Sequence, residues 1–283
     1  MTQKVPWDRV LHEAARAGKG AILANYDFAS RRKVVKRGVG GDMTLKIDEV
    51  SERAIHDSLK KELGNESFVF LSEELGEVQV RNGDSLPVVI CDPLDGSHNA
   101  QVGIPFFSLS LCVIPTKKER TFGNVSHGLV MSIKTDDEYF AAKGTGAYHN
   151  GEKLPKRRSP NKRIETMLVE TGDIDFLRDR LIHRLSLKLI LKPRILGSAA
   201  LSFCLLADGS ADAYIFAQPR GARTIDSPAG YLIARETGCV FADLSGRNSD
   251  IDDVRVGFDS KLDLIGAPDR QTLERLRKLV RIV

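Results

Sequence analysis

Val88-Val-Ile-Cys-Asp92-Pro-Leu-Asp95-Gly-Ser97 is the stretch on which the reading of this chain turns. The apolar run reads as a buried strand, and it delivers two carboxylates at its carboxyl end, where α/β folds place their sites. Pro93 removes a backbone donor and restricts the chain. Gly96 permits a tight turn. Ser97 suits an N-cap, so a short helix should follow whose free N–H groups point back at the turn. Carboxylates attract a hard cation and the helix end attracts a phosphate. The combination describes a site for a metal–phosphate complex. Taken alone the string also suits a surface turn, because Asp, Pro, Gly and Ser are turn formers.

Its company argues against the turn. Strand Phe68–Leu71 ends in Ser72-Glu73-Glu74. Upstream, Gly41-Asp42-Met-Thr44-Leu-Lys-Ile-Asp48 leads into a helix. Downstream, Thr224-Ile-Asp226-Ser-Pro-Ala-Gly230 reads as a helix start, with Asp226 or Ser227 as cap and Pro228 in the first turn. Each piece alone is an ordinary loop pair or cap. Together they place acids at the ends of separate elements, each followed by small residues or a helix start, which fits a catalytic metal centre.

The remaining elements follow from periodicity. Helices are expected over Pro6–Tyr26, from Ile47 to the break at Gly64, and over Phe176–Leu185, Ser198–Ala207 and Ser227–Glu236. Strands are expected at Phe68–Leu71, Val88–Cys91, Phe106–Ile114, Gly128–Ile133, Glu138–Ala142, Met167–Glu170, Arg194–Leu196, Ala211–Phe216 and Cys239–Phe241, with a short extended piece at Lys33–Lys36. Alternation of this kind argues layered α/β packing. The basic segment Lys153–Arg163 contains two prolines and reads as a linker between lobes of about 1–155 and 160–283.

Composition narrows the function. A chain of 283 residues can bury one large core or two lobes sharing a seam. Lys+Arg 42 against Asp+Glu 38 leaves +4, too balanced for the basic stripe of a nucleic-acid binder. The four cysteines are scattered and form no CxxC, so a zinc ribbon is excluded and a reducing cytosol is the expected address. No apolar run approaches the roughly 20 residues that span a bilayer, so no membrane partner is expected. Gly38-Val-Gly-Gly41 and Gly144-Thr-Gly146 lack the strand–GxGxxG–helix frame and are loop glycines. His98 adjoins the site but suits a helix start, since hard metals prefer oxygen. Cys91 ends a buried strand and reads as core.

The set Ser72-Glu-Glu74, Asp92-Pro-Leu-Asp-Gly-Ser97, Gly197-Ser-Ala-Ala200 and Ile225-Asp-Ser-Pro-Ala-Gly230 resembles the inositol monophosphatase family. This belongs to the superfamily of Mg²⁺-dependent, lithium-sensitive sugar phosphatases that includes fructose-1,6-bisphosphatase. Lys143-Gly-Thr-Gly-Ala-Tyr-His-Asn-Gly-Glu-Lys153 and Ala207-Asp-Gly-Ser-Ala-Asp-Ala-Tyr214 support it, and the likeness runs in order from about Trp7 to Gly246.

The resemblance implies a layered αβαβα fold, a phosphoric monoester hydrolase, two or three Mg²⁺ ions and a homodimer. It assigns Glu73, Asp92, the Leu94 carbonyl, Asp95 and Asp226 to the metals. Asp48 and Ser97 hold and activate the attacking water, with Thr44 nearby and Glu74 supporting the metal shell. The amides of Gly96 and Ser97 meet phosphate, and Gly197, Ser198 and Ala199 meet the sugar or inositol ring. Arg220 and Arg223 are candidates for a second phosphate pocket some way from the metals. Ile225 stands where the family usually has Trp, Ser97 where Thr is usual, and Ala100 where Phe is usual. The Thr44–Asp48 spacing is similar to the archaeal branch. The resemblance therefore implies inositol-1-phosphate as substrate, with fructose-1,6-bisphosphate as a second. The rivals are a 3′-phosphoadenosine nucleotidase and a catalytically silent phospho-ligand sensor.

Overall fold

The structure is a computed structural model and describes residues 5–38, 43–83, 85–157, 164–171, 190–218, 221–244 and 250–280. Fifteen strands are present among these residues: β1 Val34–Arg37, β2 Met43–Leu45, β3 Phe68–Ser72, β4 Gly76–Val80, β5 Val88–Asp95, β6 Ser108–Ile114, β7 His127–Ser132, β8 Glu138–Ala142, β9 Gly146–His149, β10 Glu152–Lys153, β11 Ile164–Glu170, β12 Ile190–Arg194, β13 Ala213–Phe216, β14 Val240–Asp243 and β15 Leu264–Ala267. The α-helices among the described residues are α1 Trp7–Ala24, α2 Lys46–Leu63, α3 Ser97–Val102, α4 Ala199–Asp208, α5 Pro228–Glu236 and α6 Arg270–Val280.

The strands form an eight-stranded sheet in the order β10-β9-β8-β7-β6-β5-β3-β4, a five-stranded sheet in the order β12-β11-β13-β15-β14, and the small pair β1–β2. In the large sheet only β3 and β5 run parallel. In the smaller sheet β11 lies parallel to both β12 and β13, and β15 closes it antiparallel.

Side-chain alternation turns these sheets into layers. On β5, Val89 and Cys91 join the core beneath α1 and α2, whereas Val88 and Ile90 join the core on the opposite face. That second core also holds Leu201, Phe203 and Leu206 of α4, Tyr231, Leu232 and Ile233 of α5, and Tyr214 and Phe216 of β13. The other face of β13, Ala213 and Ile215, packs with Leu273 and Leu276 of α6. The order through the molecule is therefore α1/α2, large sheet, α4/α5, small sheet, α6, which is the expected αβαβα arrangement. Gly128 of β7 lets α5 come close: an added Cβ would lie 2.9 Å from the carbonyl oxygen of Ala229.

Several sequence expectations need correction. The strand expected at Arg194–Leu196 runs instead over Ile190–Arg194; Pro193 is tolerated because β12 is an edge strand. Strand β6 begins at Ser108, two residues after the expected Phe106. Strands β2, β4, β9, β10 and β15 and helix α6 were not anticipated. The helix expected at Phe176–Leu185 lies outside the described residues, as does part of the linker Lys153–Arg163.

Candidate active site

The two carboxylates of the central motif lie three residues apart, a spacing that places side chains on opposite faces of a regular strand. Here the register against β6 slips between Asp92 and Asp95: Asp92 faces Ser110 and Asp95 faces Ser108, three residues against two. Pro93, which has no N–H for the ladder, sits in that bulge. The Leu94 N–H turns onto Asp92 Oδ1 at 3.0 Å. The bulge thus brings both acids to one cavity. Gly96 follows at φ 88° and is itself the N-cap of α3; Ser97 is the first helical residue, not the cap, and its hydroxyl donates to the Leu94 carbonyl at 3.2 Å.

The cavity measures about 480 Å³ and is lined by Asp48, Glu73, Glu74, Asp92, Leu94, Asp95, Gly96, Ser97, Gly197, Ala199 and Asp226 among others. The carboxylate oxygens of Glu73, Asp92 and Asp226 all lie within 4.8 Å of one another. Three strand or helix ends supply them: β3, β5 and the 3₁₀ turn Thr224–Asp226 before α5. Burial pushes the Asp92 carboxyl well above the carboxylate range, and Glu73, Asp95 and Asp226 add to it. Asp226 is pushed up to about 8, chiefly by burial, although Arg223 opposes the shift.

These features fit a bound cation. Asp226 Oδ1 and Asp48 Oδ1 are buried and have no hydrogen-bond partner. A hard divalent ion is the partner that such oxygens accept. The cluster can hold a metal ion through Glu73, Asp92 and Asp226.

Asp95 is used differently. Its carboxylate accepts from Ala199 N at 3.0 Å, Ala200 N at 2.9 Å and Ser108 Oγ at 3.2 Å, and also from Ser198 Oγ. It therefore caps the amino end of α4 from the end of β5. Ser198, the N-cap of that helix, also accepts from Leu201 N. On the other side of the cavity Thr44 donates to Glu74. Asp48 Oδ2 accepts from Leu45 N at 2.6 Å and so caps α2. Burial raises the Asp48 carboxyl well above its ordinary value, helped by Glu74, Glu73 and Glu52.

Two features were missed from sequence. The first is Glu170, at the end of β11, which lines the cavity. It accepts from Gly197 N at 3.1 and 3.0 Å, from Leu196 N at 3.3 Å and from Ser202 Oγ at 2.9 Å, and so holds the Gly197 loop. Burial lifts its carboxyl to about 7. Its signal was present: an acid at a strand's carboxyl end, like Glu73 and Asp92. The second is the role of Arg223. Arg223 Nη2 donates to Glu73 Oε1 at 2.5 Å and its Nε lies 3.4 Å from Asp226 Oδ2. The structure places Arg223 among the acids, not in a pocket away from them. Arg220 lies outside the described residues. His98 lines the cavity, and Cys91 is fully buried in the core.

A pH prediction follows for the metal-free protein. Unfolded carboxylates titrate near 4; Asp226 titrates near 8 in the fold and Asp92 above its ordinary range. Between those limits the native state binds more protons than the unfolded state, so stability falls as pH rises. In EDTA the melting temperature should drop steadily from about pH 5 to about pH 9. Thermal melts across that range check this, and a flat or rising profile would refute it.

The profile of the inositol monophosphatase family matches residues 3–282. The chain is 29% identical over 276 residues to a fructose-1,6-bisphosphatase/inositol-1-monophosphatase of Methanocaldococcus jannaschii, covering 97% of this chain and 99% of that protein. It is 30% identical over 239 residues to a bifunctional NADP phosphatase/NAD kinase of Methanococcus maripaludis, of which it spans only 40%. Among solved structures, an inositol monophosphatase–fructose 1,6-bisphosphatase superposes with a TM-score of 0.78 at 28% identity, covering 96% of this chain and 99% of that one. With the layered fold, the clustered acids and the ordered motifs in agreement, this chain belongs to the inositol monophosphatase family.

Proposed function

We propose that this protein hydrolyses phosphate monoesters of inositol or a sugar with Mg²⁺, inositol-1-phosphate first and fructose-1,6-bisphosphate second. The observation that carries the reading is the meeting of Glu73, Asp92 and Asp226 within 4.8 Å on the wall of a cavity bordered by the Gly96–Ser97 turn. Glu73, Asp92, Asp226 and the Leu94 carbonyl would hold two or three Mg²⁺ ions, with Asp95 at the margin. When bound, the cations supply Lewis acidity toward water and the phosphoryl oxygens.

The chain's own groups do the rest. Asp48 Oδ2 is fixed by Leu45 N, which leaves Oδ1 to accept a proton from the attacking water. Ser97 Oγ orients that water. The amides of Gly96 and Ser97 hold phosphate oxygens, and Gly197 and Ala199 meet the ring, while Ser198, fully buried, holds Asp95 behind them. Thr44 and Glu74 fix the wall beside Asp48. Charge on the transferred group is met by preset donors. The wider setting is a reducing cytosol, supported by four free, buried cysteines, and a homodimer, supported by the exposed apolar side chains of Phe28, Val102 and Ile104.

A second reading has one observation in its favour. One relative is an NADP phosphatase/NAD kinase, so a nucleotide-borne phosphate, such as a 3′-phosphoadenosine, is the runner-up. A phosphate-release panel separates the readings. It uses inositol-1-phosphate, fructose-1,6-bisphosphate, NADP and a 3′-phosphoadenosine, each with Mg²⁺, with EDTA and with Mg²⁺ plus millimolar Li⁺. The expected result is release from the first two with Mg²⁺ alone. Full activity in EDTA would overturn the mechanism. Preference for the nucleotides would promote the second reading, and binding without release would leave a phospho-ligand sensor.

A further inference from the structure

The guanidinium of Arg223 sits where a cation belongs. It spans Glu73 and Asp226, two of the three acids whose oxygens cluster. A guanidinium stays charged across the working pH range and donates in a planar fork. The Arg223 fork takes Glu73 Oε1 and approaches Asp226 Oδ2, while Asp226 Oδ1 has no hydrogen-bond partner. A divalent ion on the same two carboxylates would sit beside this permanent positive charge, so Arg223 and the ion oppose each other through repulsion of like charges.

The backbone of Arg223 is tied down while its side chain is not enclosed. The residue pairs with Lys261 in an isolated antiparallel bridge. The Thr224 N–H next to it donates to Ser260 O at 3.1 Å, and Asp226 N to Arg223 O at 3.4 Å. Its side chain borders the open cavity.

We propose that Arg223 is the counter-ion of the metal-free site, and that cation binding displaces its guanidinium from Glu73 and Asp226. The inference rests on reading these acids as cation ligands. It gives one residue two opposed effects. Without metal, Arg223 offsets repulsion among buried acids. With metal, it is an internal competitor that weakens apparent affinity. A residue that stays on the carboxylates and merely orients them would do the reverse, and its loss would weaken binding by about 10- to 100-fold.

The test is calorimetric titration of the metal-stripped full chain with MgCl₂, parent against Arg223→Gln, with melts in EDTA and in saturating Mg²⁺. The variant should bind Mg²⁺ about three- to tenfold tighter. It should melt below the parent in EDTA and level with it in Mg²⁺. Equal or weaker binding by the variant, beside a parent that binds, overturns the displacement. A parent that binds no Mg²⁺ overturns the cation reading itself, a separate outcome. If Arg223→Gln does not fold, Arg223→Met removes the charge and keeps an apolar stem of similar length. Tighter binding by that variant supports the proposal, and equal or weaker binding refutes it.

Discussion

Asp92→Asn should lower kcat/KM by on the order of 10³-fold while leaving the metal-free protein at least as stable as the parent at about pH 8. Asp92 is the most deeply buried of the three clustered acids, and its neighbours push its carboxyl upward. Its charge is a cost to the metal-free fold and a benefit only with a cation present. Asparagine keeps the oxygen that accepts from Leu94 N, so the bulge survives. Steady-state phosphate release gives the loss of turnover. Melts in EDTA and in Mg²⁺ give the rest: the rise on adding Mg²⁺ should shrink sharply. Near-parental turnover, or a lower melting temperature in EDTA, would make Asp92 a structural residue.

Gly96→Ala should unfold the protein roughly 5–10 °C earlier and remove most activity, from a cost of about 2–4 kcal/mol. Gly96 sits at φ 88°, where a Cβ is strained. That Cβ would also lie 2.7 Å from the carbonyl oxygen of Gly197 and 3.2 Å from Phe107 Cβ. The Gly197 segment cannot easily retreat, because Glu170 holds its N–H. Gly144→Ala is the control: φ is 81° there, close to that of Gly96, but no atom lies within 4 Å of the added carbon. It should show the strain without the clash, about 1 kcal/mol. Equal melting of the two variants would show that the close approach of the two loops is unimportant.

Much of this fold was legible because its elements are buried on patterned faces. Glu138–Ala142 matched its strand fully, and helices α1 and α2 matched within two residues at each end. Helix α6 was legible and overlooked. In Arg270–Val280, Leu273, Leu276 and Val280 recur at helical spacing among charged and polar positions, and Leu273 and Leu276 are anchors that bury. The motif acids were legible as types at strand ends, and Glu73, Asp92 and Asp226 do meet. What Asp95 touches was not: besides Ser108, its donors Ser198, Ala199 and Ala200 come from more than a hundred positions away. Nor was Arg223, since its ion pair to Glu73 spans 150 positions and no spacing rule reaches that far.

The same distance bears on how the molecule is made. Glu73 and Asp92 belong to the large sheet, whose last strand ends at Lys153, whereas Asp226 arrives only after β13 of the other sheet. A chain emerging from the ribosome holds two of the clustered acids long before the third exists. Loop closure over such a length costs little more than over a short one. Once Asp226 docks, a bound ion becomes a non-covalent tie between early and late segments. Chelation would cut that tie without touching a peptide bond, and a nascent fragment ending near Lys153 can never make it.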